Sequence, residues 1–322
     1  MMTPPNPHDP SAAYGAYVVD PVDETGELPA DPVLLATLAE LALETPPPAL
    51  RHATLATALR RRRPGTVPSA EMTPVEAFRR SVVDLDALLA ELGPTEWSTP
   101  AHTGTVQSLI GHLAGVDRYM LAKAGQGPHP DPALDTDHLG VTAASIEAAS
   151  HEAAAETRAR WRQGADSFIA LGHTRSVQET LPTHGLAVTT GGAFLLRTFE
   201  VWTHTEDICR AVGRRLSPPD ADRLELMSSA LCDVLVAGMH LSGVARDEGQ
   251  VTIRLTGSGG GIYSHRLGPD DGGPEVVITA DVVDTCRLAS RRLRPDDLEA
   301  TITGDSALAA DVFVGLAAFA LD

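Results

Sequence analysis

Arg197-Thr198-Phe199-Glu200-Val201-Trp202-Thr203-His204-Thr205-Glu206-Asp207-Ile208 is the stretch whose reading decides this chain. It sits in a run from about 192 to 212 that reads as one helix. Glu200 and His204 are then four residues apart on one face, about one turn from each other, so a carboxylate and an imidazole can reach the same divalent ion. The same spacing also describes an ordinary surface pair worth a few tenths of a kcal/mol. The stretch by itself leaves both readings open.

Working outward, a third donor is available in Gly111-His112-Leu113-Ala114-Gly115, on a mostly apolar helix expected over about 105–124. The flanking glycines let another helix come close. If the fold brings His112 against the Glu200/His204 face, the set is two histidines and a glutamate with an open position, which is the pattern of catalytic rather than structural zinc. Asp207, three residues beyond His204, is placed to accept from an imidazole nitrogen, and Arg197, three before Glu200, to hold the carboxylate. A lone helical histidine is also commonly just a satisfied, partly buried one. The remaining histidines, at 102, 129, 138, 151, 173, 184, 240 and 265, fall near expected loops or helix ends and read as solvated.

These motifs lie on a recognisable frame. Thr73-Pro74-Val75-Glu76 reads as a capping box with proline at the first helical position. From there Val75, Phe78, Val82, Leu85, Leu88, Leu89 and Leu92 keep helical spacing until Gly93-Pro94. With helices expected over about 105–124, 142–164 and 192–212, the segment 71–217 is a four-helix pattern with long connections. After Ser217-Pro218-Pro219 the texture changes: a helix over about 220–240, short β-rich runs at 250–256, 262–267, 275–280 and 298–303, and helices over 281–290 and 305–321. Residues 218–322 therefore read as a second, α+β domain. No internal repeat is visible.

The 322 residues allow two principal domains. A formal charge of −18 repels phosphate backbones and anionic lipid, so neither nucleic acid nor membrane is expected as a partner. Hydrophobic residues at 43% supply a core, and with aromatics at only 4% that core must be Ala, Leu and Val, which suits helix packing. Three scattered cysteines argue against a disulfide framework or a thiolate zinc site. No apolar span or secretory leader is legible, so a cytoplasmic location is expected.

Gly111-His112-Leu113-Ala114, with Trp97 upstream, and Glu200-Val201-Trp202-Thr203-His204-Thr205-Glu206-Asp207 resemble the two signature stretches of the mycothiol-dependent maleylpyruvate isomerase family. Residues 287–297 and 300–305, followed by an Ala-rich helix, are similar to the family's small C-terminal domain. The resemblance covers roughly 71–322. It implies a DinB-like four-helix bundle followed by a small α/β domain of sterol-carrier-like type. It implies metal ligands at His112, Glu200 and His204, with zinc the usual divalent ion and mycothiol the thiol cosubstrate. It also implies a cleft arginine from the C-terminal domain, for which Arg292 is the candidate.

The implied chemistry is that of a metal-dependent transferase or isomerase in which a metal-activated thiolate attacks a small-molecule electrophile. The chain's own cysteines lack a His/Asn arrangement; Cys209 lies nearest the proposed site in sequence. Residues 1–66 depart from this family. This short helical appendage resembles an anti-sigma zinc-binding domain whose metal ligands are gone, and its Arg60-Arg61-Arg62-Arg63 run reads as helix C-terminal cations. The segment suggests a protein partner or self-association, and gives the rival reading: a non-catalytic regulator that binds a sigma factor or senses a ligand. A third reading is a structural metal bundle closed by a fourth ligand such as His173.

Overall fold

The computed structural model describes residues 72–318 and 320, apart from 103, 128–136, 185 and 269–271. All fall in the second of the two units into which the chain divides, 69–322. The 1–66 appendage and its arginine run lie outside the described residues.

The first layer is a helical bundle. Helix α1 (Pro74–Ala90) starts where the Thr73 side chain accepts from the Glu76 amide, with Pro74 in the first turn. Only half of the expected capping box forms, because the Glu76 carboxylate turns to Arg79 and Arg80 instead of back to the cap. A short helix α2 (Pro94–Trp97) and a hairpin of β1 (Pro100–Ala101) and β2 (Gly104–Thr105) lead into α3 (Val106–Lys123). Helices α4 (His138–His151) and α5 (Ala154–Thr174) follow where one helix over 142–164 was expected. The break at Glu152–Ala153 has no proline or glycine to announce it. A second hairpin, β3 (Thr180–Thr183) with β4 (Leu186–Thr189), opens α6 (Thr190–Ala211).

Geometry thus supplies a repeat that the sequence did not show. Each hairpin turns at a histidine, His102 or His184, and each runs into a helix capped by a threonine, Thr105 or Thr189. The bundle core closes on Phe78, Phe168 and Phe194, whose rings meet at centroid distances of 4.2–5.8 Å.

The second layer begins with α7 (Ala221–Asp233) and α8 (Leu235–Leu241), a bent pair rather than the single helix expected over 220–240. Strands β5 (Gln250–Thr256), β6 (Ile262–Arg266), β7 (Glu275–Asp281) and β8 (Ala300–Gly304) form one sheet in the order β6-β5-β7-β8, with β5 and β7 parallel and the edges antiparallel. Alternation buries Val251, Ile253 and Leu255 and, in register, Val276, Ile278 and Ala280. Helices α9 (Val282–Ala289) and α10 (Ser306–Leu316) are capped by Asp281 and Asp305. Trp202, on α6, is buried among the apolar residues of this second layer, so α6 is a wall of both cores. No single described helix is long and apolar enough to cross a membrane.

The two glycines around His112 do admit a close neighbour, and it is α4. A Cβ at Gly111 would stand 2.7 Å from Ala149 Cβ, and one at Gly115 would stand 2.9 Å from Thr142 Cα. Gly115→Ala should therefore push α4 away and destabilise the protein by about 1–3 kcal/mol. Thermal unfolding would read this as a fall of roughly 2–4 °C per kcal/mol in a unit of this size, and an unchanged midpoint would refute the close approach.

Candidate metal centre

His112 points from the middle of α3 into the bundle, and Glu200 meets it from α6. His112 Nε2 lies 2.9 Å from Glu200 Oε1, and His138 Nε2, from the first turn of α4, lies 3.2 Å from the same oxygen. His112, His138 and Glu200 each offer one ligand atom, all within 4.8 Å of one another, and so form a group able to hold a metal ion. The second oxygen of Glu200 takes a bond from Arg197 Nη1. Arg197 is wholly buried and also donates to Asp117 Oδ1, at 3.0 and 2.9 Å, and to the Leu113 carbonyl.

His204 is one turn beyond Glu200, and its ring stands edge-on to that of His112 at 5.4 Å. Its Nδ1 is 3.2 Å from Asp207 Oδ2. Arg292 grips both oxygens of Asp207, Nε at 3.1 Å from one and Nη2 at 2.8 Å from the other. The expected site residues therefore stand as follows: His112 and Glu200 touch, His204 is a ring away, Arg197 holds Glu200, and Arg292 reaches the site through Asp207.

Tautomers decide what the cluster can bind. The Thr142 hydroxyl lies 2.9 Å from the Leu139 carbonyl and 3.1 Å from His112 Nδ1, a partner for that nitrogen in either tautomer. A metal ligand needs the tautomer with the proton on Nδ1 and the lone pair on Nε2. Burial pushes the His112 pKa down, only partly offset by Glu200, which favours the neutral ring. Burial would also raise Glu200, but Arg197 and the imidazoles of His138 and His112 hold its carboxyl well below the usual range. Two imidazoles and an ionised carboxylate at this spacing form a donor set suited to a divalent cation.

Asp207 shows the same logic one turn on. Burial pushes it up, but hydrogen bonds from His204 and Arg292 outweigh this and hold it at about 2. It is then an acceptor for His204 Nδ1–H and fixes that ring's lone pair on Nε2, the carboxylate–histidine arrangement typical of metal ligands.

Two histidines read as solvated belong here. His138 and His184 are buried, and His138 Nδ1 lies 3.2 Å from His184 Nε2. His184 stacks on Tyr119 at 4.5 Å, and its amide donates to the Tyr119 hydroxyl. Nothing local marked them: one begins a helix and the other turns a hairpin. His173 is exposed on α5 and takes no part. The non-glycine residues with left-handed backbone are His102 and His184, both with φ 49°, and Arg291 with φ 56°. All three flank the site, Arg291 by turning the chain so that Arg292 faces Asp207, and strain of this kind concentrates at functional sites.

Above the cluster lies a cleft enclosing roughly 1140 Å³, its open mouth included, with His138, Glu200 and His204 in its lining. The fold and the donor set together define a helical-bundle enzyme domain with a metal-capable floor. Residues 78–209 match the family described as the mycothiol maleylpyruvate isomerase N-terminal domain. Two solved structures align with 71% of this chain and 91% of their own at 16% identity: the mycothiol-dependent maleylpyruvate isomerase, TM-score 0.48, and a histidine-to-alanine variant of the mycothiol-dependent maleylpyruvate isomerase, TM-score 0.47. No curated protein sequence matches the chain.

The chain's own thiols are poor nucleophiles. Cys209, Cys232 and Cys286 are free and buried, and burial pushes all three thiols up, that of Cys232 to about 12. A disulfide reagent such as dithiobis(nitrobenzoate) near neutral pH should leave all three unlabelled in the native protein and label all three in concentrated guanidinium. Rapid native labelling of one thiol would restore an internal nucleophile.

Proposed function

We propose that this protein is a metal-dependent, mycothiol-using transferase or isomerase acting on a small electrophile. One observation carries the reading: His112 and His138 converge on one oxygen of Glu200, at 2.9 and 3.2 Å, as a buried donor set able to hold a cation. The proposed ligands are His112, Glu200 and His204. His204 is preferred as third ligand because an ionised carboxylate fixes its tautomer, whereas the far nitrogen of His138 faces another imidazole. His138 is the nearest further nitrogen and positions Glu200.

When bound, a divalent ion, zinc by the family resemblance, lowers the pKa of a thiol at its open position. The chain's residues do the rest. Arg197 keeps Glu200 ionised and aimed; Arg292 and Asp207 hold His204; and the cleft walls exclude water from the reacting atoms. For a transfer, the thiolate sulfur forms a bond to carbon as the electrophile's leaving group departs. For an isomerisation, it adds to one carbon of an activated cis double bond, the new single bond rotates, and loss of the sulfur returns the trans alkene and the thiol. The open mouth fits a substrate pair meeting at the cleft floor.

The regulator reading rests on residues 1–66; the donor cluster favours an enzyme. The proposal extends to a protein partner or self-association through residues 1–66 and to a cytoplasmic location.

Metal analysis of the purified full-length protein should find about one divalent ion per chain. His112→Ala and His204→Ala should each weaken metal binding more than about 100-fold and abolish thiol conjugation, while His138→Ala should retain the ion. Stoichiometric metal in His112→Ala would reject the ligand set, and loss in His138→Ala with retention in His204→Ala would transfer the third position to His138. In a separate variant, Asp207→Asn should reduce metal affinity by about 10–100-fold while leaving the fold intact by circular dichroism.

A further inference from the structure

We infer that the electrophile taken by this cleft is an uncharged, largely apolar molecule and not a carboxylate anion. This rests on the thiol-transfer reading and narrows its substrate. The walls above Glu200 and His204 are hydrocarbon: Leu195, Leu196 and Phe199 on α6 face Leu231, Val234 and Leu316 of the second layer.

Recognition of a carboxylate needs a cation with donors to spare, usually an arginine fork. Among the described residues no arginine or lysine lines the cleft. The sequence places none at 103, 128–136, 185, 269–271 or 319–322; Arg51 and Arg60–Arg63 lie outside the described residues. The three arginines nearest the floor are committed. Arg197 is wholly buried on Asp117, Glu200 and a backbone carbonyl. Arg292, only 6% exposed, spends its fork on Asp207 and its remaining Nη on the Ser290 carbonyl. Arg287 is paired with Glu206 and Asp284.

Arg210 adds a further contact to Asp207 at 3.4 Å, and the three arginines nearest the floor are spent on the carboxylates beside them. Against the leucine and phenylalanine walls a carboxylate-bearing partner would be desolvated with no lining arginine or lysine among the described residues to pair it, which costs several kcal/mol. An apolar electrophile gains from the same burial.

The test uses the full-length protein and two matched pairs. In the binding arm, the neutral fluorophore N-phenyl-1-naphthylamine is titrated into the protein and displaced by methyl cinnamate or by cinnamate; neither metal nor thiol is needed. In the reaction arm, metal-loaded protein and mycothiol are given methyl 4-chloro-3,5-dinitrobenzoate or the corresponding acid, with each rate divided by its uncatalysed value. In this step sulfur bonds to the ring carbon and chloride leaves with the electron pair of the broken bond. The esters should bind and react at least about tenfold better than the acids. Val234→Arg, at a part-exposed position that tolerates a charge, should shift that ratio toward the acids by a similar factor. Equal or better displacement by cinnamate, no binding of the fluorophore, or a ratio unmoved in a folded Val234→Arg protein would overturn the inference. Ester-selective binding without any thiol conjugation would leave the inference standing and refute the transferase reading.

Discussion

A single guanidinium holds the working part of this protein together. Arg197 is fully buried on α6, yet it spans to Asp117 on α3 and reaches back to Glu200 on its own helix. A cation in that position has no water to fall back on, so its partners must be where they are; removing one side of such a buried pair typically costs 3–5 kcal/mol. The constraint is double. It fixes the spacing of the two helices that carry His112 and Glu200, and it keeps the Glu200 carboxylate ionised in a place where burial would otherwise favour the acid. Burial raises Asp117 to about 6 against the pull of Arg197, with a further push from the Glu200 charge.

Around that pin the histidines are ordered by what stands behind each ring. Thr142 stands behind Nδ1 of His112, and ionised Asp207 behind Nδ1 of His204. The C-terminal layer contributes through Arg292, which never reaches the cleft itself but fixes Asp207 with a two-pronged grip. Its aim depends on the left-handed turn at Arg291, where the chain reverses at the end of α9 and the Arg292 amide bonds back to Arg287.

Much of this was legible in the chain. The i,i+4 placement of Glu200 and His204, and the i±3 offsets of Arg197 and Asp207, are local signals that a helix converts directly into geometry. The strands observed at 250–256 and 275–281 lie where β-rich runs at 250–256 and 275–280 were legible. What escaped were features set by tertiary approach. His138 reaches the site only because Gly111 and Gly115 let α4 lie against α3, and His184 only because a two-residue turn aims it inward. The break between α4 and α5 carries no breaker residue, and the repeated hairpin-and-helix unit shares little more than Pro100-Ala101-His102 and Pro182-Thr183-His184. These are matters of backbone path, for which a periodic pattern holds no record.

The position of Trp202 has a consequence for how such an enzyme can be built. One helix presents Phe194, Val201 and Ile208 to the bundle and Trp202 to the layer beyond, so the donor-bearing segment is also the seam. Neither half is a detachable cassette: stripping the second away would wet the indole and release Asp207 from its clamp. The seam makes the integrity of the catalytic floor a property of the joined halves, and a disturbance on the sheet side is felt among the imidazoles.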